Sequence, residues 1–234
     1  AWVPQTVDRG VWIPALEESL ARTPQWRRYQ RLGTLYRIEA DALLDTNKTE
    51  YRSKAGNAYL ASIERHPYNP IPYINLAAIY TKEGQYEKAD QVYAKTADLA
   101  KAREHWFRMH QHWGGMHCRW AFQLRTQKEY LKAETHYQRS QELYWQSKKI
   151  AIPHNKDWRK AYLEVSYEYI YFLLEQKQFD EATVLVEKCE KEAGRSTVLR
   201  VHADSLLAYG EFLWFSRKPE QAMQYMYAAR NKYM

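Results

Sequence analysis

The densest run of reactive side chains lies between Glu104 and Leu124. It holds His105, His110, His112, His117 and Cys118, with Met109 and Met116 among them. Imidazole, thiolate and thioether are the ligands that zinc and the softer transition metals take. The spacing does not serve a metal. His110 and His117 stand nearly two helical turns apart, about 10 Å along an axis, while zinc–ligand bonds are about 2.0–2.3 Å. His110 and His112 point about 200° apart on a helix. Cys118 and Cys189 are too widely separated in sequence to read as a metal knuckle or a disulfide framework. No nucleophile motif, phosphate loop or paired-histidine metalloprotease sequence occurs. The acidic pairs Glu17/Glu18 and Glu190/Glu192 read as solvated faces. The expectation is a chain with no catalytic residues, no metal and no cofactor.

The same run has a better explanation as packing. Trp106, Trp113 and Trp120 recur every seventh residue, with Met109, Met116 and Leu124 between them. That is one apolar stripe on a helix from Arg103 to Thr126, about 36 Å long. Gly114 and Gly115 inside it each cost about 1 kcal/mol against alanine, so they either kink the helix or admit a close neighbour.

Composition sets the wider bounds. The chain has 234 residues, 45% of them apolar, which is enough for a core and argues against disorder. Eight Gly, eight Pro and no Asn-Gly or Asp-Gly hairpin signal make an all-β fold a poor reading. Twenty Tyr and nine Trp suit helix–helix packing and half-wet grooves. The formal charge is +7 and the pI about 9.2, with Arg22, Arg27, Arg28, Arg31 and Arg37 clustered early. Signs are mixed elsewhere, which disfavours nucleic acid as the partner. No stretch approaches the roughly 18 apolar residues of a membrane span, and no signal peptide is evident. The chain begins at Ala1, so it is read as a processed product or a fragment. Its compartment stays open between cytoplasm and periplasm.

The organisation is repetitive. From Pro70 to Ala102, Tyr73, Leu76, Ala77 and Tyr80 mark one helical face, Gly84 ends it, and Tyr86, Ala89, Tyr93 and Thr96 mark a second. The pattern returns four times. Tyr29, Leu32, Gly33 and Tyr36 precede Ala55, Tyr59, Ser62 and Pro67. His117, Trp120, Ala121 and Leu124 precede Ala133, Tyr137 and Ser140. Tyr169 and Leu173 precede Ala182, Val186 and Cys189. Leu206, Tyr209, Gly210 and Leu213 precede Ala222, Met226 and Ala229. The first small residue of each second helix is alanine in all five copies, followed four residues on by a bulky one. This pattern resembles the tetratricopeptide repeat, whose period is about 34 residues.

The resemblance implies an all-α fold, a right-handed superhelical solenoid of antiparallel helix pairs with about five degenerate repeats and elongated helices over residues 26–234. Residues 1–25 are expected to carry a capping helix from Pro14 to Arg22, since terminal units must cover an apolar face. The extra residues between Tyr36 and Ala55 are expected to extend a first helix through Leu44. Ile170 stands where the family places Gly or Ala, so that helix pair is expected to splay.

The resemblance also implies a function: a protein–protein interaction module or scaffold that holds a protein or peptide segment in a concave groove lined by the first helices. By register the contact residues are Arg37, Asn75, Lys82, Arg119, Arg125, Tyr167, Glu168, Tyr171, Glu211 and Trp214. Their types imply a groove that is basic at one end and acidic-aromatic at the other. A carboxylate clamp of the co-chaperone kind fits poorly, because only Asn75 and Arg119 match it. The alternative is a periplasmic repeat tail of a bacterial membrane polysaccharide ligase or polymerase acting in cis, since such tails share long helices and many aromatics. The apolar end after Tyr233 is compatible with a homodimer.

Overall fold

The structure is a computed structural model describing residues 8–43, 47–99, 103–150, 157–193, 207, 210–211, 213–214 and 218–233. Among these residues it is all helix, without strands. The helices are α1 (Arg9–Arg22), α2 (Trp26–Ala42), α3 (Asn47–Arg65), α4 (Pro70–Lys82), α5 (Tyr86–Ala97), α6 (Arg103–Thr126), α7 (Tyr130–Ile150), α8 (Asp157–Glu175), α9 (Phe179–Ala193) and α10 (Pro219–Tyr233). Leu207, Gly210, Glu211, Leu213 and Trp214 are also helical. The chain divides into two compact units, Ala1–Met116 and His117–Met234.

One turn, repeated, makes the hairpins. Residue Gly84 has φ +72°, Lys128 +65° and Lys177 +60°. The residue after each donates its N–H back across the turn: Gln85 to the Tyr80 carbonyl at 2.9 Å, Glu129 to Leu124 at 2.9 Å, Gln178 to Leu173 at 2.8 Å. A left-handed residue followed by a six-to-one bond is the Schellman ending of a helix. The next helix starts on the same residue, whose carbonyl accepts from the alanine four positions on. These bonds are Ala89 to Gln85 at 3.0 Å, Ala133 to Glu129 at 2.9 Å and Ala182 to Gln178 at 3.1 Å. Lys218 repeats both bonds, to Leu213 and from Ala222, each at 3.0 Å. The alanine register is therefore tied to the turn by the backbone itself.

Packing explains why that position is alanine. Ala55, Ala89, Ala133, Ala182 and Ala222 are all 0% exposed. Tyr59, Tyr93, Tyr137 and Val186, four residues on, are almost wholly buried. The facing position on the first helix is correspondingly small. A Cβ on Gly33 would sit 2.9 Å from the Tyr59 ring, and one on Gly210 would sit 2.8 Å from Met226 Cγ. Ala77 and Ala121 occupy this position opposite Tyr93 and Tyr137. The same register sets Ile170 against Val186. Both are fully buried, so the large residue has moved to the first helix and the small one to the second. Burying both is the exchange of volume that keeps a core filled.

In the first unit, Leu20 of α1 joins Leu32, Tyr36, Ala55, Tyr59, Leu76 and Ile79 in one buried cluster. Each buried leucine or isoleucine among them contributes about 1.5–3 kcal/mol. Helix α1 starts at Arg9, earlier than Pro14, because Asp8 caps it: its Oδ1 accepts from the Gly10 N–H at 3.0 Å. Pro14 lies inside the helix. Helix α2 ends at Ala42; Leu44 lies outside the described residues. In the second unit, Tyr137 stacks on Tyr169 at 5.4 Å and tilts against Phe172 at 5.2 Å. Gln141 Nε2 donates to Ser166 Oγ at 2.9 Å in the buried space between α7 and α8.

Candidate functional site

The first unit carries a furrow between α2 and α4. It begins with a local device at the start of α4. Asn69 caps that helix, its Oδ1 accepting from the Ile71 N–H at 3.2 Å, and Pro70 follows where a missing N–H costs nothing. The Asn69 amide then donates to Gln30 Oε1 at 2.8 Å. Gln30 is buried, so this bond joins the two helices across an otherwise apolar seam. One turn further along α2, Thr34 Oγ1 donates to the Gln30 carbonyl at 2.9 Å, and the Tyr59 hydroxyl donates to Thr34 at 3.3 Å.

Two cavities flank the Gln30–Ile71 wall. One, of about 130 Å³, is lined by Gln30, Thr34, Arg37, Ile71, Ile74, Asn75 and Arg108. The other, of about 310 Å³, is lined by Trp26, Arg27, Gln30, Arg31, Asn69 and Ile71. Their walls come from α2, the start of α4 and, through Arg108, α6. These are the first helices of successive pairs. Along α2 the lining residues step by three or four, which is one face of a helix. The distance from Arg27 to Arg37 is about 15 Å.

Arg37 Nη1 lies 3.5 Å from Asp41 Oδ2, and Asp41 Oδ1 also holds the Lys82 ammonium at 2.5 Å. The buried Nε of Arg37 meets no acceptor among the described residues. Burial raises the pKa of Tyr59, and the nearby Arg37 pulls it back. Arg27, Arg31 and Arg108 form no ion pair among the described residues. Among the described residues, Asp41 is the one acid paired to an arginine of the furrow, Arg37.

Of the residues expected from the register, the structure brings Arg37 and Asn75 to one cavity and links Lys82 to Arg37 through Asp41. In the second unit it pairs Arg125 with Glu168 at 3.9 Å and with Glu175. Cys118 lies among Glu168 and Arg119; burial foremost, then Glu168, pushes its thiol up to about 12. Burial likewise raises Tyr167. Arg119, Tyr171, Glu211 and Trp214 are exposed. His117 proves a packing residue: its Nδ1 is 2.9 Å from His136 Nδ1, and His136 stacks on Trp120 at 3.9 Å.

Sequence reasoning missed Trp26, Arg27, Arg31, Asn69, Ile71 and Arg108. Trp26 and Arg27 lie one turn before Gln30 on α2, and Arg31 is one turn beyond Arg27. Arg108 was hidden because α6 runs more than two turns ahead of the point where its repeat pattern begins.

Residues 58–91 match the sequence model of the tetratricopeptide repeat. The human IFIT1 dimer with PPP-AAAA has a similar structure, with TM-score 0.50 and 14% identity over 95% of this chain and 44% of that one. A tetratricopeptide repeat protein from Parabacteroides merdae gives TM-score 0.49 and 14% identity over 96% and 87%. YrrB, a tetratricopeptide repeat protein with an unusual peptide-binding site, gives 0.49 and 14% over 94% and 93%. No curated protein matches the sequence. Residues 58–91 thus carry a tetratricopeptide repeat, and the alanine ladder and the repeated turn show a helical-repeat fold of the same kind. No helix among the described residues is long and apolar enough to cross a membrane.

Proposed function

We propose that the chain is a protein-interaction module that holds an extended partner segment in the furrow along α2 and α4, and that it is a binding protein, not an enzyme. The observation that supports this most directly is the pair of adjoining cavities lined by the first helices of successive pairs. A furrow about 15 Å long takes about four or five extended residues. Asn75, Gln30 and Thr34 offer amide and hydroxyl groups to a peptide backbone, while Ile71 and Ile74 offer apolar floor. Tetratricopeptide arrays in general present such a face to peptide segments. Arg119, Tyr167, Tyr171, Glu211 and Trp214 are the proposed contact positions of the second unit, with Arg125 and Glu168 paired to each other there.

The test is selection of binders from an unbiased displayed peptide library, followed by titration of the best binder against Asn75→Ala/Arg108→Glu. Both positions are at least partly exposed, so the fold survives the change. The double variant is expected to lose at least about tenfold in affinity. Unchanged affinity would overturn the furrow as the binding face.

A further inference from the structure

We infer that the furrow selects an acidic segment built around one large apolar side chain, with the apolar group in the Trp26–Ile71 cavity and flanking carboxylates on Arg27 and Arg31. This rests on the furrow being the binding face.

Arg27 and Arg31 stand one turn apart on the same helix face, where like charges repel. No carboxylate among the described residues compensates either of them. Elsewhere the chain pairs such charges readily: Arg22 with Glu18, Lys54 with Glu50, Arg139 with Glu142. Two uncompensated guanidinium groups beside a cavity suit carboxylates, which guanidinium binds through two parallel hydrogen bonds.

The Trp26–Ile71 cavity sets the second requirement. At about 310 Å³ it is large enough to anchor one bulky group. Its floor is the Trp26 ring and Ile71, and the Gln30–Asn69 amide pair closes one side. The rest of its surface is mainly apolar, so the cavity itself asks for an apolar occupant. Arg31 lies at its edge, which places the acidic requirement next to the apolar one.

Basic and aromatic residues together also suit single-stranded nucleic acid. That reading needs successive free ring faces on which bases stack. Trp26 is the one ring lining the cavity, so it offers no series of ring faces for successive bases. A peptide is therefore the favoured occupant.

The test uses the full chain and fluorescein-labelled, end-blocked pentapeptides in fluorescence anisotropy. The probes are Asp-Asp-Phe-Asp-Asp, the same with Gly at the centre, and Lys-Lys-Phe-Lys-Lys; an unlabelled oligo-adenylate serves as competitor. The acidic Phe peptide is expected to bind, to weaken as salt rises, and to lose at least about tenfold with Arg27→Glu/Arg31→Glu. The Gly-centred and basic peptides are expected to bind at least about tenfold more weakly. Both arginines are exposed, and circular dichroism checks that the variant folds. No binding by the acidic Phe peptide, equal binding by the variant, or preference for the basic peptide or the oligonucleotide would each overturn the inference. The library binders separate this from the wider reading. If they need Asn75 and Arg108 but are not acidic, the furrow stands and its acidic selectivity falls. If they do not need those residues, the furrow itself falls.

Discussion

At the scale of single residues, burial decides which side chains are chemically available. Cys118 looks reactive in sequence, among histidines and next to Arg119. In the fold its thiol is pushed up to about 12, mainly by burial. Tyr137 is likewise raised to about 12 by burial, with Arg125 pulling it back. Burial also raises Tyr144 and Tyr162. These groups keep their protons in the folded state beyond the pH at which the unfolded chain releases them, about 8.5 for a thiol and about 10 for a phenol. The unfolded state thus loses protons first. Stability is fully present below about pH 8.5 and falls as pH rises toward 12. Thermal unfolding followed by circular dichroism is expected to give a lower Tm at pH 10.5 than at pH 8. An equal Tm at both would show that these groups are not held in their neutral forms by the fold.

At the scale of elements, the sequence was most readable where one physical constraint acts alone. The five alanines were legible because a buried contact between helices admits nothing larger, and all five are fully enclosed. The span of α6 was legible because a seven-residue tryptophan stripe has one period. Ile170 departs from the small residue of the other pairs, and both it and Val186, which stands where three other pairs carry tyrosine, are fully buried. The start of α1 misled because a proline at a first turn and an aspartate cap are both good signals, and Asp8 lies further upstream. The repeated turn was half legible. Gly84 announces a left-handed residue, but Lys128 and Lys177 adopt the same conformation without announcing it. A side chain in that conformation costs about 1 kcal/mol relative to glycine. Lys128→Gly and Lys177→Gly are each expected to raise stability to urea by about 0.5–1 kcal/mol. Gly84→Ala is expected to lower it by about 1 kcal/mol. Losses on replacing both lysines would mean that their side chains, and not their backbones, hold the turns.

At the scale of the molecule, a helical repeat offers function through a surface assembled from successive pairs. That is why much of the candidate site was out of reach of the sequence. Register gave Arg37 and Asn75, which line one cavity, because positions on one helix face are periodic. It could not show that Lys82 is tied to Asp41 or Arg125 to Glu175, since those partners come from other helices. It could not supply Arg108 or Ile71 either, because which residues border a furrow depends on where helices start and how they pack.

The proposed partner segment lies between α2 and α4 in the first unit. Hydrogen exchange of the full chain, with and without a library-selected peptide, tests it most directly. Slowed exchange is expected to concentrate in α2 and in the first turns of α4, where Asn69 and Ile71 line the furrow. Slowing confined to α3, α5 or α10, with α2 and α4 unchanged, would contradict it.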